Sequence, residues 1–141
     1  MAVKGLIDTG AILGYLDPRD PWHATCVTAM RRLPLPLLTS TAVLTEVFHF
    51  VRRRSLDQGN AWSFVRSELI ALAPIEPEDL PEIHFLMSRY ADCPMDFADA
   101  TLVLLARRHK LTTIFTTDHN DFETYRIEGK RKFRIVPGRR A

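Results

Sequence analysis

The stretch Val3-Lys-Gly-Leu-Ile-Asp8 decides the fold class, because it is a short apolar run that stops at a carboxylate. Runs of this length bounded by turn-forming residues are typical of buried strands in a parallel sheet, so we predict a strand over residues 3–7. Further runs of the same kind follow along the chain, at 37–39, 72–75, 112–116 and 133–136. Pro137-Gly138 ends the last run, which we therefore predict to be an edge strand.

Between these runs the spacing of apolar residues changes to every third or fourth position, which indicates helices. The predicted helices cover 11–16, 22–33, a segment from a Thr41 cap to Arg53, a segment from an Asn60 cap to Ala71, a segment opened by Glu76-Pro-Glu-Asp79, and 97–109 behind an Asp96 cap. Strands that alternate with helices predict an α/β fold with a mainly parallel sheet of about five strands, covered by helices on both faces. Active sites in such folds lie at the carboxyl edge of the sheet.

The composition is that of an ordinary folded domain. The chain has 141 residues, of which 46% are hydrophobic and 26% charged, and we expect one domain over residues 1–141. Two cysteines, Cys26 and Cys93, are too few for a disulfide framework or a thiolate metal site, so we expect reduced thiols in the core. A carboxylate at position 8 excludes a signal-peptide apolar region, and no apolar run approaches the ~18 residues of a membrane span. We expect a soluble cytoplasmic protein that does not enter a membrane.

Charge is distributed unevenly along the chain, although the net charge is only +2. Residues 1–106 hold 9 basic and 13 acidic side chains, whereas residues 107–141 hold 10 and 4. The basic side chains that are candidates for contacting phosphates are Arg107, Arg108, Lys110, Lys130, Arg131, Lys132, Arg134, Arg139 and Arg140. A solvated face followed by a basic tail explains this pattern equally well.

Five acidic residues fall where the carboxyl edge of the sheet is expected, namely Asp8, Glu46, Asp96, Asp99 and Asp118. Asp96 and Asp99 are three positions apart, so both project from one face at the start of a helix. Carboxylates brought together repel one another unless a cation is present, and oxygen ligands suit Mg²⁺ or Mn²⁺. Such a site activates water and stabilises charge on a phosphodiester, which indicates hydrolysis of a nucleic-acid backbone.

Each acid also has a purely structural explanation. Asp8 is a candidate turn residue, Glu46 a solvated helix acid and Asp96 a helix cap, and Asp118 is suited to an Asx-turn with Asn120 or Asp121. Taken singly, each structural explanation is the better one. The recurrence of acids at strand ends strengthens the case for a metal site. With it, the sequence pattern alone leaves the metal site and the structural explanations evenly balanced.

Four segments resemble, in order, the successive motifs of PIN domains. They are Leu6-Ile-Asp-Thr-Gly-Ala11, Leu38-Thr-Ser-Thr-Ala-Val-Leu-Thr-Glu-Val47, Met95-Asp-Phe-Ala-Asp-Ala100 and Ile114-Phe-Thr-Thr-Asp-His-Asn-Asp-Phe122. The resemblance is closest to the VapC-type toxin ribonucleases of bacterial toxin–antitoxin pairs and their close relatives. It implies a PIN-like three-layer α/β/α sandwich and endonucleolytic cleavage of RNA that depends on Mg²⁺ or Mn²⁺.

The resemblance also implies roles for individual residues. Asp8, Glu46, Asp99 and Asp118 match the acidic positions of the family, as catalytic residues and metal ligands. Asp8 and Asp99 are the first-choice ligands, Glu46 completes the metal shell or orients water, and Asp118 binds a second ion or acts through water. The expected supporting residues are Thr9, Asp96, Thr117 and Asp121, with hydroxyl hydrogen bonds from the two threonines and an open role for Asp96. The uneven charge, rather than the resemblance, indicates the expected RNA contacts, which are Arg107, Arg108, Lys110, Lys130, Arg131 and Lys132.

Three other functions are compatible with parts of the sequence. The Asp8-Thr9-Gly10 segment also occurs in aspartic proteases, but those folds are built from strands and glycine turns, whereas this chain has only 6 Gly and several long helical segments. A PIN-like module that binds RNA without cutting it is an alternative, although all four matched acids are present. A housekeeping RNA-processing nuclease without an antitoxin is another, and an adjacent antitoxin gene distinguishes it from a toxin.

Apolar residues around Phe48, Phe50 and Val51 and in the segment 62–72 exceed what one small domain easily covers. This excess predicts a homodimer or a groove that binds an antitoxin. The resemblance implies the same partners, since VapC-type toxins are typically dimers inhibited by a protein whose C-terminal segment lies across the active site.

Overall fold

The computed structural model describes residues 2–139. Five strands form one sheet in the order β3-β2-β1-β4-β5, and every neighbouring pair is parallel. The strands are β1 Leu6–Ile7, β2 Leu37–Ser40, β3 Ile70–Ala73, β4 Thr113–Phe115 and β5 Arg134–Val136. The predicted α/β fold is confirmed, and β5 is an edge strand as expected.

Seven α-helices connect or follow the strands in the described part of the chain. They are α1 Thr9–Leu16, α2 His23–Arg32, α3 Thr41–Arg53, α4 Gln58–Val65, α5 Leu80–Arg89, α6 Phe97–His109 and α7 His119–Thr124, with a 3-10 turn at Pro77–Asp79 before α5. Parallel strands all end at the same edge of a sheet, so the helices that directly follow them begin at that edge. None of the helices within residues 2–139 is long and apolar enough to cross a membrane.

The core is built around the central strands and one enclosed helix. Leu6, Ile7, Ile114 and Phe115 have no exposed surface. In α6 every residue from 98 to 106 is buried, so this helix is covered all round. Neither cysteine forms a disulfide, and Cys26 is buried in the core, whereas Cys93 is only half-buried.

Two strands differ from the sequence prediction because partners outside the segment decide their limits. Strand β1 spans only Leu6–Ile7 instead of 3–7. Its neighbours β2 and β4 begin opposite residue 5, so the residues before it have no strand to pair with. Strand β3 covers Ile70–Ala73 instead of 72–75. Pro74 follows it directly, and proline lacks the N–H that a sheet ladder needs.

The helix limits in the middle of the chain also differ from the prediction. Helix α4 ends at Val65 and does not reach Ala71. Ser67 closes the turn after it, because its hydroxyl donates to the carbonyl of Phe64 at 2.7 Å and accepts from the N–H of Leu69 at 3.2 Å. This turn frees the following residues for β3.

Two predicted helix caps are wrong by one and three positions. The cap of α3 is Ser40 rather than Thr41, and the cap of α4 is Asp57 rather than Asn60. In both cases the residue with extended backbone lies earlier than the sequence pattern indicates. Helix α7 was not predicted, because the polar residues after Asp118 suit a turn as well as a short helix.

Candidate active site

An open cleft of about 430 Å³ lies at the carboxyl edge of the sheet. Six acids line it, namely Asp8, Glu46, Asp96, Asp99, Asp118 and Asp121. The structure thus brings together all four acids that match the PIN motifs, although they are spread over 111 positions of the chain. The other lining residues are Thr9, Gly10, Leu13, Phe50, Arg54 and Thr117.

Three of the acids reach the cleft because they cap helices. Asp8 caps α1 and accepts the N–H of Thr9 at 2.7 Å. Asp96 caps α6 and accepts the N–H of Asp99 at 2.8 Å, and Asp118 caps α7 and accepts the N–H of Asp121 at 3.2 Å. Helix starts present unpaired N–H groups and a partial positive charge, which hold carboxylates. The structural explanation is therefore correct for Asp96, whereas Asp8 and Asp118 cap helices instead of forming the turns that we expected. Capping places all three side chains in one cleft.

Hydroxyl groups fix three of the carboxylates. Thr116 donates to Oδ2 of Asp8 at 3.0 Å. Thr9 donates to Oε1 of Glu46 at 2.7 Å. The buried hydroxyl of Tyr125 donates to Oδ2 of Asp99 at 2.8 Å.

Two of these donors were not among the predicted site residues. We expected Thr117 to support the site through its hydroxyl, but within residues 2–139 that hydroxyl forms no hydrogen bond, and the neighbouring Thr116 holds Asp8 instead. Thr116 lies in the fourth quoted motif, next to Thr117. Because neighbouring residues of a strand point to opposite sides, the motif offered Thr116 as the alternative to Thr117. Tyr125 lies 26 positions after Asp99 in a segment without a motif. Nothing in the sequence indicates its contact.

Burial and like charge change the acidity of the cleft. Burial, together with the charges of Glu46 and Asp118, raises the pKa of Asp8 to about 7, although the hydrogen bonds from Thr9 and Thr116 lower it. Burial also raises the pKa of Asp99 to about 8, with added repulsion from Asp8 and Asp96. The cleft therefore holds more negative charge than its surroundings compensate.

The remaining acids follow the same trend. Burial raises the pKa of Glu46, and the nearby carboxylate of Asp96 adds to the effect. Burial and Asp118 raise the pKa of Asp121 to about 6. Of the described residues that line the cleft, only Arg54 is a lysine or arginine. Protons or a bound cation would neutralise this cluster.

The donor set fits a hard divalent cation in its chemistry. Every candidate donor is a carboxylate oxygen, the ligand type that Mg²⁺ and Mn²⁺ prefer. Within residues 2–139, however, no three Asp, Glu, His or Cys side chains converge closely enough to hold an ion as they stand. Asp96 and Asp118 are exposed, so their carboxylates have room to move towards an ion.

The basic residues that we predicted to contact RNA do not lie beside the acids. Helix α6 carries Asp99 in its first turn and Arg107 and Arg108 in its last, about 12 Å further along the axis. Arg107 donates to the carbonyl of Ile127 and to Oε1 of Glu82, and Arg108 donates to Asp79.

The other candidates lie at the same far end or are paired. Lys110 ends α6. Residues 130–132 precede β5, whose first residue pairs with the first residue of β4, opposite the acid cleft. Arg139 donates to Glu123 and Asn120 in α7, and Arg140 lies outside the described residues. Among residues 2–139, none of these candidates lines the acid cleft.

A model of the PIN domain family matches residues 5–128, a range that contains the whole cleft. The chain belongs to the PIN-domain family. This PIN domain is 28% identical over 142 residues to Ribonuclease VapC26 of Mycobacterium tuberculosis, in a match that covers 94% of this chain and 99% of that protein.

Two solved structures share the fold of this PIN domain. One is the crystal structure of Mycobacterium tuberculosis VapC20, described as a sarcin-ricin loop cleaving toxin, with a TM-score of 0.77, 18% identity and coverage of 84% of this chain and 92% of that one. The other is a toxin–antitoxin complex from Klebsiella pneumoniae, with a TM-score of 0.66, 17% identity and coverage of 86% and 92%. At these identities the similarity establishes the fold alone.

Proposed function

We propose that this PIN domain is an endoribonuclease that hydrolyses RNA phosphodiester bonds in the acid cleft, and that it is the toxin of a type II toxin–antitoxin pair. The observation that carries the proposal is the convergence of Asp8, Glu46, Asp99 and Asp118 in one cleft of a PIN fold. The similarity to Ribonuclease VapC26 over nearly the whole of both chains supports RNA as the substrate.

The proposed cofactor is Mg²⁺ or Mn²⁺, held by Asp8 and Asp99 with Glu46 and Asp118. When bound, such an ion neutralises charge on the phosphodiester and makes a water molecule more acidic. Thr116 and the N–H of Thr9 orient Asp8 from two sides, at 3.0 and 2.7 Å.

Two further contacts hold the carboxylates of Asp99 and Glu46 in the cleft. Tyr125 fixes one oxygen of Asp99 at 2.8 Å and leaves the other without a partner among the described residues. Glu46 is held by Thr9, and its raised pKa suits a carboxylate that accepts a proton from the attacking water.

Cleavage of total bacterial RNA by the purified protein tests this function, with Mg²⁺, with Mn²⁺ and with EDTA. We expect RNA cleavage that requires metal. The Asp8→Asn/Asp99→Asn double variant should cleave RNA at least about 10³-fold more slowly. Asp92→Asn is the matched control, because Asp92 is an exposed acid outside the cleft. If the protein and its double variant behave alike under every metal condition, the catalytic proposal is wrong and an RNA-binding role is the better account.

We also propose an antitoxin protein and a second copy of the chain as partners. Phe50, Trp62 and Leu72 are 37%, 48% and 48% exposed, which supports an apolar contact surface, whereas Val51 is buried and does not contribute. The toxin–antitoxin complex among the solved relatives supports the first partner. A monomeric elution profile, with no protein recovered in pull-downs from the source cells, would contradict both.

A further inference from the structure

The acid cleft continues into a second depression of about 520 Å³. Its lining residues are Asp17, Arg19, Asp20, Pro21, Arg53, Arg54 and Ser55. Arg54 lines both the acid cleft and this depression. A strand of RNA whose phosphodiester lies among the acids therefore has this depression as an adjoining surface.

Arg54 is held in place by two carboxylates at the base of the depression. Its Nη1 donates to Oδ2 of Asp17 at 3.1 Å and to Oδ2 of Asp20 at 2.9 Å. Asp17 is buried, so this anchor is fixed in the fold. The Nε and Nη2 donors of Arg54 have no partner among residues 2–139, and a third of its side chain is exposed. A guanidinium that is anchored through one nitrogen keeps its other donors available for a phosphate.

The depression also carries a surplus of positive charge. Arg19 donates to Oδ1 of Asp17 and to the carbonyl of Arg54. Arg53 is exposed, and its side chain has no hydrogen-bond or ion-pair partner in the described part of the chain. Three guanidinium groups thus face two carboxylates, beside a cleft lined by six acids. Because those acids repel a polyanion, RNA needs a cationic surface close to them in order to bind.

We propose that this depression is the phosphate subsite for the RNA segment next to the cleaved bond, with Arg54 as its main contact, Arg53 as a second contact and Asp17 as the residue that positions Arg54. The proposal rests on the proposed function, because it takes RNA in the acid cleft as given. It replaces the basic C-terminal segment as the cationic surface that serves the site.

The test measures binding of a short unstructured RNA to the non-cleaving Asp8→Asn/Asp99→Asn protein by fluorescence anisotropy over a range of salt concentrations. Adding Arg53→Ala or Arg54→Gln should weaken binding by about tenfold each and make the slope of log affinity against log salt shallower by about 0.7 per lost contact. Arg53→Ala carries the test if Arg54→Gln disturbs folding, because Arg53 supports no other residue. A change confined to folding would leave the salt slope unaltered.

Arg134→Ala is the matched control, because Arg134 is an exposed arginine at the far end of the sheet. It should leave both the affinity and the slope unchanged. If the Arg53 and Arg54 variants keep the parent's affinity and slope while wild type cleaves RNA, the subsite is wrong and the proposed function stands. If only Arg134→Ala weakens RNA binding, the subsite is likewise wrong and the proposed function stands. If wild type cleaves no RNA and the parent binds none, both proposals fail.

Discussion

Asp8 and Asp99 are buried carboxyl groups without a cationic side chain beside them, and this bears on stability as well as on chemistry. In the unfolded chain each releases its proton near its ordinary pKa of 3.8, whereas in the folded, metal-free protein the pKa values are about 7 and 8. The folded state therefore binds more protons than the unfolded state between these limits. The stability that the protonated carboxyl groups of Asp8 and Asp99 contribute is complete below about pH 4 and is lost as pH rises through 7 to 8.

Asp99→Asn should therefore stabilise the metal-free protein at pH 8. The amide cannot ionise, and its oxygen can still accept the Tyr125 hydroxyl. We expect the free energy of unfolding in EDTA to rise by at least about 1 kcal/mol, which is a few degrees in Tm. The gain should shrink as pH falls and disappear below about pH 4, because the carboxyl group of the unfolded wild-type chain is then protonated as well.

Thermal unfolding in EDTA from pH 5 to 8 measures this effect, with Asp92→Asn as the exposed control. An Asp99→Asn protein that is less stable than wild type at pH 8 would show that the carboxylate is not under electrostatic strain. Excess Mg²⁺ should reverse the order, since it stabilises only the protein that keeps its ligands.

At the scale of residues, the positions of the acids and the supporting role of Thr9 were predictable, whereas the other supporting residues were not. Asp8 follows an apolar run directly and Asp118 follows one after two threonines, so chain order alone puts them at strand ends. The donation from Tyr125 to Asp99 depends on how the segment after α7 packs against α6, and no local pattern encodes that packing. The same holds for Arg54, whose position depends on the buried Asp17 far from it in sequence.

At the scale of elements, the start of α3 links the two halves of the acid cleft. Ser40 accepts the N–H of Val43 at 3.3 Å as the helix cap, and its hydroxyl lies 2.7 Å from that of Thr101 in α6. Both hydroxyl groups are fully buried. Helix α3 carries Glu46 and α6 carries Asp99, so this contact fixes one acid relative to the other.

Ser40→Ala should lower the free energy of unfolding by about 1 to 2 kcal/mol, because it removes the cap and a buried hydrogen bond together. Thr41→Ala is a control within the same turn: Thr41 is exposed, and its substitution should cost less than about 0.5 kcal/mol. Urea denaturation of the two variants measures the difference. Equal losses, or a larger loss for Thr41→Ala, would contradict the assignment of Ser40 as the cap.

The cap at Ser40 instead of Thr41 also shows that the sequence predicts the presence of a helix or strand better than its limits. Helix α6 was predicted with correct limits, because Asp96 and the apolar pattern up to His109 are both local. The limits of β1 and β3 depend on where neighbouring strands begin and on Pro74, which pairing across the sheet decides. Periodicity therefore identifies an element, and tertiary contacts set its ends.

At the scale of the whole molecule, most of the basic C-terminal segment lies away from the acids. Its residues 107–110 and 130–134 lie at the opposite end of the sheet, whereas Arg139 contacts Glu123 and Asn120 of α7. Composition alone predicted that segment to bind RNA, and that role stays untested. The contacts of Arg107 indicate a structural role instead, since its side chain joins α6 to Glu82 of α5 and to the carbonyl of Ile127. Ile127 is buried, so the segment before β5 is fastened to the core at this point.

Arg107→Ala should accordingly lower the free energy of unfolding and leave RNA binding unchanged. The pair with the exposed Glu82 contributes little, whereas the unpaired carbonyl of Ile127 should lower the free energy of unfolding by about 1 to 3 kcal/mol. RNA affinity and its salt slope should stay within about twofold of wild type, because no phosphate contact is lost. Lys130→Ala removes the same charge from an exposed residue without a partner among residues 2–139 and should change neither quantity. If Arg107→Ala instead weakens RNA binding tenfold at unchanged stability, the far end of the molecule is part of the RNA surface, and the substrate spans both ends of the sheet.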